Sequence, residues 1–88
     1  MEEKLIRCED VMWSIVDGEA VLLKTTSGKY FGMNKTATAF WTIIDTPKTT
    51  EEIIQTMANR FSVARERIAS DIEKLIPTLM SKQLIGKF

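Results

Sequence analysis

Between the apolar runs VMWSIV and EAVLLKT stand only two residues, Asp17 and Gly18. An Asp-Gly pair flanked by strand-like runs is the strongest short hairpin signal, because both central positions of the favoured turn need φ > 0. The spacing predicts antiparallel strands over about 11–16 and 19–25. A second turn around Ser27-Gly28 leads to a third strand at about 29–33, KYFGM, which then lies at the edge of a three-stranded meander.

Side chains alternate between the two sides of a strand, so Phe31 and Met33 share one side while Tyr30 and Gly32 share the other. A two-residue second turn joins Trp13, Ile15 and Leu22 to Phe31 and Met33, whereas a three-residue turn recruits Val21 and Leu23 instead. The first arrangement is favoured, since it gives Trp13 a core to fill.

Asn34 suits a helix N-cap, and behind it Ala37, Phe40, Trp41 and Ile44 recur at helical spacing, predicting a helix to about Asp45. After TPKT, Thr49 and Glu52 form a capping box, followed by an inward stripe of Ile53, Ile54, Met57, Ala58 and Phe61. A third helix places Ile68, Ile72, Leu75, Ile76 and Leu79 on one face. Pro77 cannot donate to the carbonyl of Glu73, so this helix either kinks near 73–77 or ends and restarts. Leu84 and Ile85 close the core. Residues 1–10 carry no clear period and form a lead-in, and 11–88 make one domain. The order is three strands, then three helices: an α+β domain of winged helix-turn-helix type.

The chemistry on offer is sparse. The 88 residues carry 12 Lys plus Arg against 12 Asp plus Glu and no histidine. No overall field draws the chain to nucleic acid or anionic lipid, and the commonest acid/base group and metal ligand is absent. Cys8 stands alone, so neither an internal disulfide nor a Cys-x-x-Cys metal cage can form. It reads as a partly buried apolar residue. No Walker loop, paired-glycine fingerprint or nucleophile beside a base is present. Neither a catalytic residue, a cofactor nor a metal is expected. The N-terminus lacks an apolar signal core and no apolar run is long enough to span a bilayer, so a soluble cytoplasmic protein with no membrane partner is expected.

A winged helix-turn-helix invites comparison with DNA-binding regulators. The exposed face of the third helix would carry Arg65, Glu66, Arg67, Ser70, Asp71, Glu73 and Lys74, in which acids offset bases. The strand at 29–33 is more informative. Edges are ordinarily protected by lysine, proline or a bulge, and this one has only Lys29. Such an edge can accept an extended peptide as an added strand. The same residues also suit an ordinary edge that another part of the chain covers.

Taken in order, DGEAVLL, SGKYFGMN, ATAFW and TTEEIIQTMANRFSVARERIASDIEKLIPTLMSKQLI resemble the pyrroloquinoline-quinone synthesis protein D family, small winged-helix domains that recognise precursor peptides of ribosomally made natural products. Within that family the chain is most similar to the stand-alone leader-binding proteins of lasso-peptide biosynthesis. The resemblance implies a non-catalytic domain whose partners are a precursor leader peptide, a leader protease of the transglutaminase type and a cyclase. A precursor chaperone working with a radical SAM enzyme is the alternative within the family. It also implies the site: a leader docked antiparallel on Lys29, Tyr30, Phe31, Gly32 and Met33, in a groove walled by Ile68, Asp71, Ile72 and Leu75 of the third helix. Pro77 departs from the uninterrupted last helix that the resemblance implies.

Overall fold

The structure, a computed structural model, describes residues 3–88. Its elements are β1 (Lys4–Arg7), β2 (Val11–Val16), β3 (Glu19–Lys24), β4 (Lys29–Gly32), α1 (Lys35–Ile43), β5 (Lys48–Thr49), α2 (Thr50–Phe61), α3 (Arg65–Ser81) and β6 (Ile85–Lys87). The expected meander is the antiparallel sheet β2-β3-β4. Asp17 and Gly18 turn its first corner at φ 53° and 81°, as the Asp-Gly pair requires.

The second corner is longer than expected. Lys24 pairs with Lys29, leaving Thr25 to Gly28 as a four-residue turn. The extra residues are held locally: Ser27 and Gly28 donate their amides to the Lys24 carbonyl, and the Thr25 amide donates to the Asp10 carbonyl. This displaces the register by two residues, and an even displacement keeps every side chain on its expected side. Trp13, Leu22 and Phe31 accordingly stand in one cross-strand row. Ala20, Leu22 and Met33 are buried beneath the helices, whereas Trp13, whose ring meets Trp41 of α1 edge to face, remains 39% exposed.

A second sheet, β5-β1-β6, was not expected. The lead-in supplies its central strand: Leu5 pairs with Lys48 on one side and Lys87 on the other, and its side chain is buried. Met1 and Glu2 of the lead-in lie outside the described residues. The sheet gathers three stretches too short to show a period, one from each end of the chain and one from the link between α1 and α2.

Both predicted helix starts are present. The Asn34 side chain accepts from the Ala37 amide at 2.8 Å, and Thr49 and Glu52 exchange both bonds of a capping box at 2.9 and 3.1 Å. The core stripes of α1 and α2 are buried, apart from Ala58, which is half-buried, and Phe61, which is 39% exposed at the last position of α2, where Ser62 turns the chain away at φ 52°. Pro77 neither ends nor interrupts the helical assignment of α3, which continues to Ser81. Pro77 and Glu73 are both exposed, so the carbonyl that proline leaves unpaired faces solvent, where water can satisfy it. Leu84 and Ile85 are buried and close the core.

Two cations join the layers. Nε and Nη2 of Arg7 donate to the Trp41 carbonyl at 2.9 and 2.7 Å. The same guanidinium lies 4.8 Å from the Trp13 ring centre and 5.0 Å from that of Trp41, whose rings meet edge to face at 6.3 Å. Burial lowers the Arg7 pKa from its ordinary value, against the opposing pull of Asp45. Lys24 is 7% exposed, and its ammonium donates to Asp10 Oδ1 at 2.7 Å and to the Gln83 carbonyl at 2.5 Å.

Replacing Arg7 with alanine removes both hydrogen bonds and both ring contacts, and should lower stability by roughly 1–3 kcal/mol in urea denaturation. Lysine should restore only part, because an ammonium has no fork. The hydrogen bond from Lys24 and a second from Thr26 hold the Asp10 carboxyl below its ordinary pKa. Its stabilising contribution is therefore complete above about pH 4, the unfolded value, and is lost as pH falls through the lower folded value. Asp10→Asn should reduce stability at pH 7 and flatten the acid limb of a melting-temperature profile; Glu52, held down chiefly by the Thr49 amide, accounts for the slope that remains. Pro77→Ala restores a donor on the exposed side of α3, and its thermal melt should be equal to or above that of the parent.

Candidate functional site

The register of β4 decides which of its backbone groups are free. The Met33 amide donates to the Ala20 carbonyl at 2.9 Å. In an antiparallel ladder hydrogen-bonded and non-hydrogen-bonded pairs alternate, so Phe31 and Lys29 also turn their amides and carbonyls toward β3. Tyr30 and Gly32 turn theirs the other way, onto an edge that no described strand pairs. A Cβ built on Gly32 would meet no atom within 4 Å. The protein's own packing therefore does not demand glycine there. Its absence of a side chain leaves room for another backbone.

The side chains sort the opposite way. Lys29, Phe31 and Met33 point to the side covered by helices, while Tyr30 stands 71% exposed on the outer side. Opposite the groove-facing row runs α3. One hollow is lined by Asn34 and Ala37 together with Asp71, Lys74, Leu75 and Thr78. A second is lined by Lys29 and Phe31 together with Ser81 and Lys82. The start of α1 thus faces the middle of α3, and the start of β4 faces its end, so β4 and α3 run antiparallel on either side of a groove. Phe31 and Leu75 are half-buried along it, leaving apolar surface for an occupant to cover. The Lys82 ammonium sits 5.5 Å from the Phe31 ring centre.

Of the four wall residues expected on α3, Asp71 and Leu75 line the groove. Ile68 and Ile72 are 4% and 0% exposed and belong to the core beneath it. The difference is one of helical phase: 68, 72 and 79 point inward, whereas 71, 74, 75, 78 and 82 form the neighbouring row that borders solvent. Asn34, Lys74, Thr78 and Lys82, not among the expected residues, also line these hollows. The i, i+3, i+4 and i+7 spacing of Asp71, Lys74, Leu75 and Thr78 was the signal for that row. Of the five expected strand residues, Lys29 and Phe31 line the second hollow, Tyr30 and Gly32 lie along the open edge, and Met33 is buried in the core.

Nothing else among the described residues competes as a site. No group of three or more His, Cys, Asp or Glu residues is placed to hold a metal ion. Cys8 is a half-buried free thiol. No helix among the described residues is long and apolar enough to cross a membrane.

Two solved structures share this fold. A structure described as TbiB1 in complex with the TbiA(beta) leader peptide superposes with a TM-score of 0.83 at 27% identity, covering 92% of this chain and 94% of that one. A lasso peptide synthetase B1 complexed with the leader peptide gives a TM-score of 0.79 at 21% identity, covering 93% and 96%, and supports the fold alone. No curated protein sequence matches the chain. The family described as coenzyme PQQ synthesis protein D (PqqD) matches residues 19–85, from the second strand of the meander to the last strand. With three-quarters of its length inside that match, the chain belongs to the PqqD family.

Proposed function

We propose that this protein binds the leader peptide of a ribosomally made precursor, without catalysing a reaction itself, and presents it to the enzymes that modify it. The observation that carries this reading is the β4 edge. Tyr30 and Gly32 direct backbone donors and acceptors outward beside a half-open apolar groove. A leader lying antiparallel to β4 continues the sheet and sets alternate side chains against Phe31 and Leu75. The likeness to TbiB1 in complex with a leader peptide supports leader binding, and the resemblance of the sequence to lasso-peptide leader-binding proteins points to lasso-peptide biosynthesis as the setting. There the processing partners are a leader protease of the transglutaminase type and a cyclase.

The energetics divide the work. Two outward amides and two outward carbonyls, at a net ~1 kcal/mol each, are largely offset by the ~2–5 kcal/mol needed to order a disordered segment. Apolar side chains entering the groove add ~1.5–3 kcal/mol each when fully covered. Backbone pairing positions the leader, and groove contacts hold it.

The two parts are separable by mutation. Gly32→Pro removes an outward amide but no bond to β3, so the variant should melt close to the parent and lose leader binding. Leu75→Ala leaves the ladder intact and should weaken binding by about tenfold, less than truncation of a fully packed leucine would cost. The measurement is calorimetric titration of both variants with a synthetic leader peptide that binds the parent, alongside thermal melts. Folded variants that bind as tightly as the parent would place the leader elsewhere.

A further inference from the structure

At the end of the groove where α3 finishes, the charge is one-sided. Lys29 lies on the groove-facing side of β4, and Lys82 follows the last turn of α3 with its ammonium over Phe31. Both line the same hollow, and neither is in an ion pair among the described residues. Lys24 nearby is already neutralised by Asp10. The C-terminal carbonyls of α3 present roughly half a negative charge, which accounts for one cation at Lys82 and leaves Lys29 unexplained. The opposite end is mixed, with Asp71 and Lys74 lining one hollow.

We infer that the groove selects an extended peptide carrying two apolar residues and then an acidic one at alternate positions, the aspartate or glutamate seated between Lys29 and Lys82. This rests on the peptide-binding reading above and on antiparallel docking. A strand running against β4 has its C-terminal end beside Lys29. Tyr30 and Gly32 supply the outward hydrogen bonds, so Met33, Phe31 and Lys29 fall at the non-hydrogen-bonded positions, where cross-strand side chains approach most closely. The peptide residue opposite Met33 is then apolar, the one two places on, opposite Phe31, is apolar, and the one two further, opposite Lys29, is acidic. A lysine at that last position meets two cations and is rejected, so the charge acts against wrong peptides as much as for the right one.

The test is selection of random twelve-residue peptides displayed on phage against the intact protein. The expected result is enrichment of apolar-x-apolar-x-(Asp/Glu), and the double variant Lys29→Glu/Lys82→Glu should shift the last position to Lys or Arg. Both lysines are exposed, and a thermal melt confirms that the variant is folded. For a synthetic enriched peptide, replacing the acid by its amide should weaken binding about threefold to fivefold at low salt, and the difference should vanish near 1 M salt, where charges are screened beyond about 3 Å. Enriched peptides with no acidic position, or with the acid before the apolar pair, overturn the inference and leave peptide binding standing. Failure of any peptide to enrich removes the peptide-binding reading as well.

Discussion

The ammonium of Lys24 sits where three parts of the chain meet. It donates to Asp10 at the start of the meander and to the carbonyl of Gln83 just beyond α3. Gln83 adopts φ 57°, and its amide is taken up by the Met80 carbonyl, so the acceptor is held in place by the turn that ends the helix. An unpaired buried ammonium would be strongly unfavourable, whereas a paired one fixes distance and direction. The turn between β3 and β4 is thereby tied to the end of α3. At the other end, the Ala20 amide donates to Thr38 Oγ1 at 2.9 Å while Met33 and Ala37 are buried together in the core. With both ends anchored and only half-buried contacts between them, β4 and α3 are held apart as the two sides of a groove.

Features legible in the sequence are those written in adjacent residues. Asp17-Gly18 dictates its own turn, Asn34 and Thr49 cap the helices that follow them, and the inward positions of α1 recur at a period that survives any tertiary arrangement. The second sheet was illegible because β1, β5 and β6 have four, two and three residues, too few for alternation to show, and each finds its partner far along the chain. Groove residues fall between these cases. Periodicity separates the buried from the exposed face of α3, but the groove wall is the boundary between the faces, and its place depends on where β4 lies. Ile68 and Ile72, expected in the groove wall, accordingly lie buried in the core, one helical row deeper than Asp71 and Leu75. Lys24 shows the same limit: alternation puts it on the inner side of β3, and nothing local announces Asp10 and Gln83 as its partners.

Among the described residues the meander has two unpaired edges, and the β4 edge is the one that faces α3 across a groove. Beyond β2, Trp13 and Ile15 face the helical side at 39% and 49% exposure, and the Trp13 ring is already engaged edge to face by Trp41 of α1. A strand added there would gain backbone bonds and little else. A strand added to β4 gains the same bonds and in addition covers Phe31 and Leu75. Open edges of similar hydrogen-bonding capacity can therefore differ in what they retain, because backbone pairing alone is close to balanced by the entropy of ordering the partner.

That balance also explains why an edge with so little protection need not be an aggregation hazard. Pairing with an arbitrary strand yields four backbone groups' worth of bonding and no groove contact, which is too weak to persist for a disordered segment. Residence requires side chains of the right size at alternate positions, in register with Phe31. On the inference drawn above, the end of the groove adds a sign: Lys29 and Lys82, in no ion pair among the described residues, would favour one charge and repel the other. The proposed selectivity thus resides in the side of the added strand that would face α3, while the edge would supply a backbone template indifferent to sequence. On the proposed reading, the third helix reads the peptide and the sheet presents it at a fixed distance and phase.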